Sequence, residues 1–298
     1  MRSVLFLVTA LVALAPRASA QDAWLRRSPL EARHTGSFER RDLNESSGIA
    51  ASRRTPGLIW TIEDSENEPL LIATDTLGRD LGAWRIPGAR NGDWEAVRVG
   101  PCGAGACVYI ADTGDNATRR GTVTIYRVPE PRPGGTRASS ATAAPETITF
   151  RYPGGPRDVE AMIVTPAADI LLISKVRSGA SMAYHIPASA WVRRRALVAK
   201  ELGPIGLPGR GESFDRVTDA ALAPDGRRVL VLTYANVYFF DLDGTRLRPA
   251  TPPIACGVLG LQAVAEGADW LSEDEIVIGG ESAFGMRGGL AVVKCPRK

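Results

Sequence analysis

One arrangement of residues occurs five times along this chain, and it limits the possible folds more than any other feature. Each unit runs from a polar or acidic tip into a short apolar strand, a turn, and a second apolar strand ending in polar residues. The units open at Glu45-Ser46-Ser47-Gly48-Ile49, Asp93-Trp94-Glu95-Ala96-Val97, Asp158-Val159-Glu160-Ala161-Met162, Thr218-Asp219-Ala220-Ala221-Leu222 and Gly260-Leu261-Gln262-Ala263-Val264. The aligned apolar residues Ile49, Val97, Met162, Leu222 and Val264 are spaced 48, 65, 60 and 42 residues apart. A four-stranded propeller blade takes ~40–50 residues, and the longer intervals contain loop insertions. One insertion, residues 132–145, is rich in Pro, Gly, Ser, Thr and Ala and reads as a flexible loop. No stretch carries a sustained helical apolar period; the apolar runs are short and bounded by Gly, Pro, Asp and Asn. A single small sheet cannot bury both its faces, but stacking five in a ring can. The expected fold is therefore all-β: a β-propeller over residues 36–298, with five blades favoured and six the nearest variant. Residues 36–43 are expected to close the ring as the outer strand of the last blade. A β-sandwich or a two-domain β protein is the alternative.

The chain ends and the cysteines bear on compartment. Residues 1–20 combine Arg2, an apolar stretch from Val4 to Ala15, and the small residues Ala18-Ser19-Ala20. That pattern reads as a signal peptide cleaved after Ala20, followed by an N-terminal tail over 21–35. No later apolar run approaches the ~18 residues of a membrane span, so a secreted or periplasmic monomer is expected. Four cysteines suit disulfides in such a compartment. Cys102 and Cys107 enclose a short Gly-Ala loop and would bridge a hairpin; Cys256 and Cys295 would then pair. The alternative, a thiolate metal site, lacks zinc-ribbon spacing. A net charge of +3 is too small to indicate nucleic acid, and the Arg193-Arg194-Arg195 run reads as a solvated loop. His34 and His185 are the only histidines, which leaves little room for a histidine-based metal centre.

In a propeller, the start of each first strand and the end of each second strand share one mouth of the central channel. Strand starts would bring Glu45, Ser47, Asp93, Glu95, Asp158, Glu160, Thr218, Asp219 and Gln262 to it. Strand ends would bring Asp64, Asp112, Asp115, Asn116, Lys175, Tyr234 and Glu281. So many carboxylates around one opening raise each other's pKa or bind a cation. Oxygen donors without His or thiolate suit Ca²⁺, for which Glu45, Asp93, Asp158, Asp112, Asp115 and Asn116 are the candidate ligands. The competing reading is that these acids bond loop amides and basic side chains, holding the blades together. The chain has no Gly-x-Ser-x-Gly elbow and no phosphate loop. The enzymatic expectation is thus cation-assisted hydrolysis of a lactone or ester, and less readily of a phosphoester. Glu95 or Glu160 would act as general base, and Lys175 would stabilise developing negative charge. The alternative is a non-catalytic module binding a peptide, glycan or other small ligand at the mouth, with Trp60, Trp94 and Trp270 as stacking surface or as blade packing.

Several of these segments, together with Trp60-Thr61-Ile62-Glu63-Asp64-Ser65, Tyr109-Ile110-Ala111-Asp112-Thr113-Gly114-Asp115-Asn116 and Ile125-Tyr126-Arg127-Val128-Pro129-Glu130-Pro131, resemble a largely uncharacterised family of secreted bacterial β-propellers. That family is distantly similar to phytase-like and lactonase-type propellers. The resemblance covers most of residues 43–282. It implies a propeller with a site in the central channel and a bound cation. Two departures stand out. Gly260-Leu261-Gln262-Ala263 replaces a Gln-Gly-Glu-Ala pattern, so a carboxylate is expected to be missing at Gln262. Glu63-Asp64-Ser65-Glu66 replaces Asn-Asp-Ser-Gly.

Overall fold

The computed structural model describes residues 26–27, 31–133, 140–192, 197–207 and 213–295. The signal segment and Arg193-Arg194-Arg195 lie outside them. The described chain forms five antiparallel sheets, each a blade with its strands in chain order from the centre outward. Blade one comprises Ser46–Ala51, Leu58–Glu63, Leu70–Asp75 and Asp80–Arg85. Blade two comprises Trp94–Cys102, Gly105–Asp112, Val123–Pro129 and Glu146–Arg151. Blade three comprises Val159–Val164, Ile170–Ser174, Met182–Ile186 and Lys200–Pro204. Blade four comprises Val217–Leu222, Arg228–Thr233 and Asn236–Asp243, with Arg246–Pro249 and Ile254–Gly257 both pairing at its outer edge. Blade five comprises Val264–Trp270, Glu275–Glu281 and Gly289–Lys294, completed by Glu31–Ser37 from the other end of the chain.

The innermost strands touch in the order one-two-three-four-five-one, so the propeller is closed with five blades. Closure by an N-terminal strand is as expected, but the strand begins earlier than the segment 36–43. It takes residues 31–35 out of the anticipated tail. A second N-terminal segment, Arg26–Arg27, pairs in parallel with Ile254 and Ala255 on blade four. Among the described residues no helix is long and apolar enough to cross a membrane.

There is no single central core. The buried side chains form five clusters, one in each gap between neighbouring blades. In the strand Leu58–Glu63, Ile59 faces blade five while Trp60 faces blade two. Both faces of the strand are covered, which is why the apolar runs are continuous rather than alternating. Trp60, Trp94 and Trp270 are all buried in these gaps, so they pack blades and offer no stacking surface.

Two buried charges knit the ring. Arg98, from the inner strand of blade two, lies across the channel and is 4% exposed. Its Nη1 donates to the carbonyls of Ile49 and Val97, each at 2.6 Å. Its Nε donates to Met162 O at 2.9 Å and Ala220 O at 2.8 Å. Its Nη2 pairs with Asp219, whose other oxygen accepts the Ala268 N–H at 2.9 Å. This one pair therefore reaches the inner strands of all five blades and blocks the channel. At the seam, Asp269 of blade five accepts the Ala51 N–H of blade one at 2.8 Å and pairs with Arg53 at 2.7 Å. Both expected disulfides are present. Cys102–Cys107 spans the blade-two hairpin with its Cα atoms 5.7 Å apart, and Cys256–Cys295 joins blades four and five at 6.2 Å.

Candidate functional site

Each inner strand carries a β-bulge near its start. Register with the second strand slips between Ser46 and Ile49, Trp94 and Ala96, Val159 and Ala161, Val217 and Asp219, and Ala265 and Gly267. A bulge leaves its extra residue out of the ladder and re-aims its side chain, commonly beside a functional site. The bulges contain Ser47, Glu95, Glu160, Thr218 and Glu266, which makes these the equivalent positions of the five blades. The sequence register is therefore corrected in two units: Ala220, not Leu222, and Ala268, not Val264, align with Ile49. The fifth carboxylate is not lost at Gln262; Glu266 supplies it.

These bulges place a well of carboxylates at the channel mouth, floored by Arg98. Asp64, Asp93 and Glu95 each offer an oxygen within 4.8 Å of the others, and so do Glu95, Asp158 and Glu160. Glu95 belongs to both groups. Its Oε2 accepts a hydrogen bond from Ser47 Oγ at 3.0 Å. Lys175 Nζ donates to Glu160 Oε1 at 2.7 Å and stacks 5.2 Å over the Tyr234 ring. Tyr234 also hydrogen-bonds Glu266, whose Oε2 is buried without a partner. Space for the well comes partly from Gly114, because a Cβ there would collide with the Asp93 and Glu95 carboxylates.

Burial and crowding set the electrostatics. Burial, then the neighbouring Glu160, Asp64 and Asp93, pushes Glu95 well above the usual carboxylate range. Burial raises Glu160 in the same way against the opposing pull of Lys175. Asp93 is pushed up to about 7 by burial and by the Asp64 carboxylate bonded to it. Glu266 is pushed up to about 8, again mainly by burial. Burial pulls Lys175 down, but Glu160 and Glu266 overcome it and hold the ammonium well above its ordinary value. One ammonium cannot neutralise this many carboxylates. Near neutral pH the well retains protons, and a divalent ion can compete for the same oxygens.

Not every candidate ligand joins the well. Glu45 is exposed at the rim, where it accepts a hydrogen bond from Asn67 at 3.1 Å. Asp112 pairs with Arg120 at 2.6 Å and accepts the Asp93 N–H. Asp115 caps the N–H groups of Arg119 and Arg120, and its own N–H donates to Asp158 at 2.9 Å. Asn116 is exposed. The segment 112–116 thus braces Asp93 and Asp158 from behind. Asp64, Glu266 and Glu281 instead belong to the well or its edge. His185 sits on the third strand of blade three beside Asp169, far from the mouth along the strand.

No family model matches the chain, and no curated protein matches it. Solved structures do, and they define its class as β-propeller. The PQQ-bound aldose sugar dehydrogenase of Streptomyces coelicolor superposes with a TM-score of 0.52 at 13% identity, covering 90% of this chain and 98% of that one. A putative 6-phosphogluconolactonase from Bacteroides uniformis gives 0.41 at 11% identity, covering 89% and 78%. The Pan2 WD40 domain of Neurospora crassa gives 0.36 at 10% identity, covering 84% and 63%. At such identities the likeness is one of fold alone.

Proposed function

We propose that this chain is an exported member of the secreted propeller family it resembles, and that its carboxylate well binds a divalent cation, Ca²⁺, to hydrolyse an ester or lactone. The observation that carries this reading is the sharing of Glu95 between two three-carboxylate groups within 4.8 Å. The donors are all oxygen, are largely withdrawn from water, and are left roomy by Gly114, which suits a hard cation. Bound there, the ion supplies Lewis-acid polarisation of the substrate carbonyl. Glu160, held by Lys175, is placed to take the proton of a water, and the ammonium offsets developing negative charge. The carboxylate rim repels anionic groups, so an uncharged ester enters more readily than a phosphoester. The test is a screen of lactones, carboxyl esters and phosphoesters with Ca²⁺ and with chelator. Turnover of an uncharged ester that chelator abolishes is expected. Ca²⁺ binding with no turnover on any class would replace the hydrolase with a binding module.

A further inference from the structure

The described residues expose seven large apolar side chains, and four of them stand around one side of the carboxylate mouth. Phe214 precedes the inner strand of blade four, and Leu259 precedes that of blade five. Phe284 and Met286 follow Glu281, at the end of the second strand of blade five. Backbone bonds string these loops together: Ala235 N–H to Phe214 O at 3.0 Å, and Val258 N–H to Ala235 O at 2.7 Å. Tyr234, next to Ala235, reaches into the well and hydrogen-bonds Glu266. Phe284 is 85% exposed and has a φ of 54°, a left-handed conformation disfavoured for a bulky side chain. A strained residue that gains no packing in return points to a role outside folding. Within the ring, Thr218 Oγ1 and Glu266 Oε2 are buried without partners, and both occupy bulge positions. The well thus keeps unfilled polar capacity directly beside an apolar ledge.

We infer that Phe214, Leu259, Phe284 and Met286 form a ledge for the apolar chain of the substrate, which is an ester or lactone bearing an unbranched alkyl group. This inference rests on the hydrolase reading for the head group and on the ledge for the tail. Charge complementarity selects the ligand: the carboxylates exclude an anionic amphiphile, and the apolar side chains give a neutral ester's tail a place outside the well.

The test is calorimetric binding, in Ca²⁺, of γ-lactones with side chains from methyl to octyl, with turnover measured on the same series. Affinity is expected to rise roughly twofold to fourfold per methylene until the ledge is covered. Phe284→Gly combined with Leu259→Ser should flatten that rise. Both sites are exposed, and Gly relieves the strain at 284, so the melting temperature should hold or increase. Affinity independent of chain length, or a rise that survives in the double variant, would overturn the ledge. Chain-dependent binding without turnover supports the ledge and defeats the hydrolase reading. Turnover indifferent to chain length does the reverse.

Discussion

Asp93 and Glu266 show how the well couples pH to stability. Their carboxyls titrate at about 7 and about 8 in the folded protein because burial and like charge penalise the ionised form. A carboxyl raised on folding binds more protons in the folded than in the unfolded chain. Its contribution is therefore complete below its unfolded value near 4 and is lost as pH rises through the folded one. The chelated protein should melt at a higher temperature at about pH 5 than at about pH 8, and saturating Ca²⁺ should flatten the slope. Melts at a few pH values, with and without the ion, check this; a chelated protein more stable at the higher pH would contradict it. Individual residues were partly legible in the sequence. Asp93, Glu95, Asp158, Glu160 and Lys175 were visible as polar tips on apolar strands. Arg98 was not, because in the run Val97-Arg98-Val99 nothing local distinguishes a channel-crossing guanidinium from an edge charge.

The inner-strand bulge and the loop behind it are the elements that build the site. The bulge also explains where the sequence register failed. Apolar residues in the first three units align with a constant offset from the carboxylate, whereas the fourth and fifth inner strands, rich in Ala and Gly, offer no large side chain to fix it. Alignment on Val264 consequently pointed to Gln262, when Glu266 is the bulged residue. The loop after the second strand of blade two does two things. It caps its own amides with Asp115, and at Gly114 it leaves room for two carboxylates. Gly114→Ala displaces only the mobile ends of Asp93 and Glu95. It should weaken Ca²⁺ binding at least tenfold, about 1.4 kcal/mol, while shifting the melting temperature of the chelated protein little. Titration calorimetry and a melt measure both; wild-type affinity in this variant would mean that the ion sits elsewhere.

The whole molecule depends on ring closure, which the sequence predicted in outline through five repeats and an N-terminal strand. How the ring is locked follows only from three dimensions. Residues 98 and 219 lie 121 positions apart, yet together they contact every blade. Arg98→Ala strands the Asp219 carboxylate and four carbonyls in a dry channel. It should cost about 3–5 kcal/mol in urea unfolding, the range for breaking a buried pair from one side. A loss below about 1 kcal/mol would show that the pair does not lock the ring.

The central claim is that Glu95 sits at the heart of a cation site. Its most direct test is titration of Ca²⁺ into chelator-stripped protein and into Glu95→Gln, with a thermal melt of each. The account predicts saturable binding that raises the melting temperature of the wild type, and neither effect in a Glu95→Gln variant that remains folded. Absence of binding to the wild type, or equal binding by the variant, would contradict it.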